Sequence, residues 1–155
     1  MGFRESMRTT TLRELDLSSP ILVPPETAVA DVVRRMQAAH RGCALIVSGE
    51  LLSGIFTERD VLEKIVGHPE RYRDPVGRYL RADPPTLAPA DTVETAIARM
   101  AELNIRHLPV VGPGGKPLGT IASGVLVRFL VEHFPREVLN LPPRHDQVLR
   151  TPEGG

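Results

Sequence analysis

A chain of 155 residues, 41% apolar and 25% charged, falls among globular proteins and has room for one ordinary domain or two small ones sharing a core. Its 19 basic and 19 acidic residues cancel, which argues against a protein that grips nucleic acid through a broad basic surface. The single cysteine, Cys43, excludes an intramolecular disulfide and a cysteine-clustered metal site, and in the run Cys43 to Val47 it reads as a small buried hydrophobe. No stretch approaches the roughly 18 apolar residues that span a bilayer. Met1 to Ser6 lacks the apolar core of a signal peptide, so a cytoplasmic protein is expected.

Taken in chain order, Met1 to Arg8 is expected to fray. Pro20 to Pro25 is a short extended piece, because proline fixes φ and removes a backbone donor. Val29, Val32, Val33 and Met36 then recur as one face of an amphipathic helix, with Thr27 as its candidate N-cap. Two strands follow, Cys43 to Val47 and Leu51 to Phe56, turning at Ser48-Gly49-Glu50, and a helix runs from about Glu58 to Val66. His68 to Asp83 is polar and proline-bearing, and its apolar anchors Tyr72, Val76, Tyr79 and Leu80 predict a docked connection rather than a free tether.

The same order then returns. Pro84 to Pro89 is extended, and Val93, Ala96, Ile97 and Met100 make a helical face after the candidate cap Asp91. Leu108 to Val111 and Pro117 to Ala122 form a hairpin, and a helix runs from about Gly124 to His133. A shift of 64 positions lays Pro20 on Pro84, Val29 on Val93, Met36 on Met100 and Val47 on Val111. After a one-residue slip, a shift of 65 lays Gly54 on Gly119 and His68 on His133. The chain thus divides into an N-terminal segment 1–11, a first repeat 12–70, a connection 71–82, a second repeat 83–136 and a tail 137–155 expected to be poorly ordered.

The repeats differ where chemistry is possible. Gly54-Ile55-Phe56-Thr57-Glu58-Arg59-Asp60 has no polar equivalent in copy two, where Ala122 stands for Thr57 and Val125 for Asp60. A carboxylate such as Asp60 can accept from both vicinal hydroxyls of a ribose. Thr57 opens a helix, where unpaired N–H groups favour an anion. Locally, the same two residues also fit an acidic variant of a capping box. The other histidines, His40, His68, His133 and His145, show no metal-ligand spacing, and His68 and His133 sit at equivalent helix ends where a protonated ring suits the dipole. Neither a catalytic triad order nor a phosphate-binding glycine loop nor a carboxylate pair is evident, so no enzyme is expected.

The glycine, two mostly apolar residues, threonine, any two, aspartate pattern of Gly54 to Asp60, in register within a duplicated strand-helix-strand-strand-helix, resembles the CBS domain pair (named for cystathionine β-synthase). Asn104 to Val111 is similar to the second strand of many such repeats, and the resemblance spans about residues 12 to 136. It implies an α/β (α+β) fold in which two βαββα repeats pack through their sheets with pseudo-twofold symmetry and leave two clefts. It further implies ligands such as AMP, ADP, ATP or S-adenosylmethionine. Asp60 would take the ribose, with Thr57 close to ribose and phosphate and Ile55 beside them in the motif. Arg106 and His107 would face phosphate from the opposite repeat, and Pro85 and Thr86 would line the adenine side. The equivalents of Arg106 and His107 in copy one are Gly42 and Cys43, so the expectation is one good cleft and one impaired cleft. A homodimer acting on a separate effector protein is implied as well. The rival reading is a protein–protein interaction scaffold without a nucleotide.

Overall fold

The computed structural model describes residues 2–134. The first repeat contains β1 (Leu22–Val23), α2 (Val29–Ala39), β2 (Cys43–Ser48) and β3 (Leu51–Thr57), preceded by a short helix α1 (Phe3–Thr9). Helix α3 (Glu58–Asp60) continues as a π-helical stretch, Val61–Ile65. Two 3₁₀ turns, Pro69–Arg73 and Val76–Arg78, lead to β4 (Arg81–Ala82). The second repeat holds α4 (Val93–Leu103), β5 (His107–Val111), β6 (Pro117–Ala122) and α5 (Ser123–His133). Its opening extended piece makes a single parallel bridge, Leu87 to Val110, in place of a full strand.

Strands β1, β2, β3 and β4 form one sheet in that order, with β1 parallel to β2 and the other pairs antiparallel; β5 and β6 form a second. Alternation along β2 sends Ala44 and Ile46 toward helix α2 and the first core, and sends Cys43 and Leu45 to the other face with Ile55. There the Cys43 side chain lies beside Thr120 of β6, so this face packs on the second sheet. Burial pushes the thiol up to about 12; Arg41 lowers it less, Glu58 raises it, and the neighbouring Thr120 hydroxyl lowers it. Cys43 is a buried small side chain, as its setting in the sequence indicated.

The predicted helical faces are the buried ones: Val29, Val32 and Met36 in α2, and Val93, Ala96 and Met100 in α4. Both helices end on a residue with positive φ at equivalent places, His40 at 53° and Asn104 at 52°. The N-caps differ from expectation by one residue. Ala28 caps α2 without a side-chain bond, while Thr92 caps α4 by accepting from the Thr95 N–H. Asp91 instead accepts from the Ala88 N–H at 2.7 Å, closing the preceding turn.

The segment ahead of each repeat completes the core of the other. Leu12 is fully buried in the second core, and Val76, its counterpart 64 residues on, is fully buried in the first. The backbone bonds repeat this exchange: Leu12 N–H to the Asp91 carbonyl at 2.9 Å and Val93 N–H to Thr10 at 3.0 Å, against Val76 N–H to Thr27 at 2.8 Å and Val29 N–H to Asp74 at 2.9 Å. The N-terminus is therefore not frayed at Phe3–Thr9; α1 is a helix that packs Met7 against the second core. Tyr72, Tyr79 and Leu80 pack on the first core beside Val76, which docks the connection. The tail 137–155 lies outside the described residues.

Candidate functional site

A cleft of about 540 Å³ opens where the two repeats meet. The first repeat contributes Ile55 and Thr57 from the end of β3, then Glu58, Arg59, Asp60, Leu62 and Glu63 from the helix that follows. The second contributes Ile105, Arg106 and His107 at the start of β5. The connection adds Arg81, and the opening of the second repeat adds Pro84 and Pro85. Six of the seven residues singled out from sequence, Ile55, Thr57, Asp60, Pro85, Arg106 and His107, thus line one space. Thr86 is not in the lining; its backbone carbonyl accepts from Arg99 Nη1 at 3.1 Å.

Thr57 and Asp60 form a reciprocal capping box. The Thr57 N–H donates to Asp60 Oδ2 at 2.9 Å, and the Asp60 N–H donates to Thr57 Oγ1 at 3.3 Å. The Thr57 hydroxyl also donates to Oδ2 at 3.1 Å, and Lys64 Nζ sits 3.0 Å from Oδ1. Each carboxylate oxygen has two acceptor positions, so Oδ2 is filled and Oδ1 keeps one. Rotation of the Thr57 hydroxyl toward a ligand frees a second. The local cap and a place for vicinal hydroxyls are therefore compatible in one carboxylate.

On the opposite wall, His107 reaches across to Gly42 of the first repeat. A Cβ at Gly42 would lie 2.7 Å from both Cε1 and Nε2 of the ring, so only glycine admits this approach. Burial lowers the His107 pKa from its ordinary value; Glu58 opposes the shift and Arg106 adds to it. The ring is therefore a neutral hydrogen-bonding group at neutral pH, and the fixed positive charge of the pair belongs to Arg106. Backbone bonds pin both walls in the same way: Glu58 N–H to the Gly42 carbonyl at 3.0 Å, and Ser123 N–H to Arg106 at 2.9 Å.

Arg59 and Arg81 were not among the site residues singled out from sequence, nor were Glu58 and Glu63. Among the described residues, the guanidinium groups of Arg59, Arg81 and Arg106 are in no ion pair or side-chain hydrogen bond. Glu58 and Arg59 occupy the two unconstrained positions of the motif, which signals their location but not their chemistry. Arg81 comes from the connection, where β4 pairs it with Ile55, and no local pattern marks it.

The corresponding region of the second repeat is chemically different. A hollow of about 910 Å³ there includes Val125 in the place of Asp60, Leu17 in the place of Arg81 and Arg41 in the place of Ile105. It has no carboxylate in the place of Asp60, and the cap residue of α5, Ala122, makes no side-chain bond. Among the described residues, no cluster of His, Cys, Asp and Glu could hold a metal ion, and no helix is long and apolar enough to cross a membrane.

Tandem βαββα units with a Thr–Asp motif at the inter-repeat cleft define a CBS domain pair. The CBS domain family model matches residues 12–67 and 76–132, and the chain belongs to that family. It is 35% identical over 107 residues to the CBS domain-containing protein CBSCBSPB3 of Arabidopsis thaliana, covering 67% of this chain and 19% of that one. It thus spans about a fifth of the length of the curated relatives it matches first. Among solved structures, CBSX2 in complex with AMP superposes with a TM-score of 0.68 at 22% identity, over 80% of this chain and 98% of that one. The CBS domain pair of MJ0100, in complex with 5′-methylthioadenosine and S-adenosyl-L-methionine, gives 0.72 at 17% identity, over 81% and 98%.

Proposed function

We propose that this CBS pair is a non-catalytic regulatory module that senses an adenine nucleotide or adenosyl ligand in the first cleft. The carrying observation is the convergence of Thr57 and Asp60 from one repeat with Arg106 and His107 from the other around a single space. Asp60 Oδ1 accepts a ribose hydroxyl, the Thr57 hydroxyl turns toward the ligand, and Arg106 offers its two-pronged donor set to phosphate. Neutral His107 donates one hydrogen bond, and Ile55 with Pro85 supplies apolar contact for the base. The complexes of CBSX2 with AMP and of MJ0100 with adenosyl ligands support the class of ligand.

Because the ligand touches both repeats, binding favours one relative arrangement of them, by as much as its affinity differs between arrangements. A separate partner reads that arrangement. Leu62, in the π-helical stretch after α3, and Val127 of α5 lie at equivalent positions and are 70% and 56% exposed, which supports a second copy as the cover of these two segments.

Thermal unfolding against millimolar AMP, ADP, ATP, NAD and S-adenosylmethionine tests the reading, with Asp60→Ala alongside. A ligand at about 100 times its dissociation constant adds about 2.7 kcal/mol, several degrees for a domain of this size. A rise in the wild type that Asp60→Ala abolishes supports the sensor. The complete Thr57–Asp60 capping box favours the rival scaffold reading, because it gives both residues a structural role; no rise with any of these ligands would shift the balance to that reading.

A further inference from the structure

We infer that Lys64 is a positioning residue for the cleft's carboxylate and ties it to the connection between the repeats; this rests on the ribose role proposed for Asp60. Lys64 Nζ lies 3.0 Å from Asp60 Oδ1 and donates to the Tyr79 carbonyl at 3.1 Å. An exposed Asp–Lys pair one helical turn apart contributes little. This pair differs in two ways. The Asp60 side chain is only 14% exposed, and the ammonium is held by a second segment as well as by its own helix.

The surroundings fix that second anchor. Arg71 Nη1 donates to the Lys64 carbonyl at 2.7 Å, and its guanidinium lies over the Tyr79 ring, 5.8 Å from the centroid. The Tyr79 hydroxyl bonds the Asp74 carboxylate, which also pairs with Arg78 at 3.2 Å. Two residues beyond Tyr79, Arg81 enters the cleft lining, followed by Pro84 and Pro85. One ammonium therefore links the oxygen with a free acceptor position to the connection that leads into the lining residues Arg81, Pro84 and Pro85.

The backbone of Lys64 is itself unusual. It lies in the π-helical stretch, closed by the Val66 N–H to the Val61 carbonyl at 2.9 Å. Such wide turns occur often at functional sites. In the second repeat, α5 is α-helical throughout, Phe129 takes the place of Lys64 and Leu15 that of Tyr79, and both pack on the apolar core. The lysine is present where the carboxylate is present and absent where it is absent.

The test compares wild type, Lys64→Met and Lys64→Arg by calorimetric titration with AMP and with S-adenosylmethionine, which share the ribose. Hydrogen exchange of residues 79–82 in the ligand-free proteins is followed in parallel. Lys64→Met is expected to weaken binding about tenfold, equivalent to about 1.4 kcal/mol, and to speed exchange in 79–82. Lys64→Arg is expected to restore most of both. Should Lys64→Met fold poorly, Lys64→Gln takes its place. Wild-type binding that Lys64→Met leaves intact, a loss that Lys64→Arg does not repair, or unchanged exchange would overturn the positioning role alone. Wild-type protein that binds neither compound would overturn the ribose reading and this inference together.

Discussion

The two repeats share a scaffold and differ in what that scaffold presents. Helices α2 and α4 bury equivalent faces, end on equivalent left-handed residues and receive equivalent backbone bonds from the segment docked beside them. At the inter-repeat clefts the likeness stops. The first has Thr57, Asp60 and Lys64, and the second has Ala122, Val125 and Phe129 in their places. The lesson is that packing constrains the buried faces of both copies, whereas the start of the helix that closes each repeat is free to diverge. A cap there is worth only about 1 kcal/mol, so one copy could lose it while keeping its fold.

The largest effect should come from breaking the exchange of segments. Leu12→Ala empties a fully buried position and should cost about 2–5 kcal/mol in chemical denaturation. Leu12 belongs to the second core, so affinity in the first cleft, once corrected for the unfolded fraction, should be unchanged. A drop in affinity would mean that the repeats are not separable in this way.

Gly42→Ala sharpens the contrast between the walls. The added methyl meets the His107 ring at 2.7 Å, and displacing that ring should weaken AMP binding about tenfold. Gly119→Ala is its control away from this cleft: there a Cβ meets the Ser18 carbonyl at 3.0 Å. That variant should lower the unfolding midpoint without altering the affinity.

Ala122→Thr with Val125→Asp rebuilds the motif in the second repeat. Because α5 lacks a side-chain cap, the pair should supply one worth about 1 kcal/mol, offset by the packing Val125 gives up on the second core, as read in denaturant titration. Calorimetric stoichiometry should stay at one ligand per chain, since Gly42 and Cys43 stand where Arg106 and His107 line the first cleft. A second ligand would show that the motif alone builds a site.

The smallest effect is in pH. The His107 pKa is lowered in the folded state, so between that lowered value and the ordinary 6.5 the unfolded chain binds more protons than the native one. The stability is fully present above about 6.5 and falls as pH drops through this window. His107→Gln should flatten that part of the midpoint-versus-pH curve, and an unchanged curve would assign the acid sensitivity to other groups.

The sequence by itself determined the duplication, the order of elements and the asymmetry of the Thr–Asp motif. These are local or periodic: Val29, Val32 and Met36 recur on one helical face whatever surrounds them, and glycine marks its hairpin turn at Gly49. Six of the seven residues that the family resemblance singled out also line one space, because Asp60 and Arg106 are carried by repeats whose pairing that resemblance implies. Tertiary structure alone decided the rest. That Leu12 completes the far core and Val76 the near one, that α1 forms at all, and that Gly42 must stay bare for His107 depend on chain segments brought together from a distance. So do the entry of Arg81 into the cleft and the anchoring of Lys64 on Tyr79. Side-chain periodicity records which face of an element is buried. It does not record which segment covers that face.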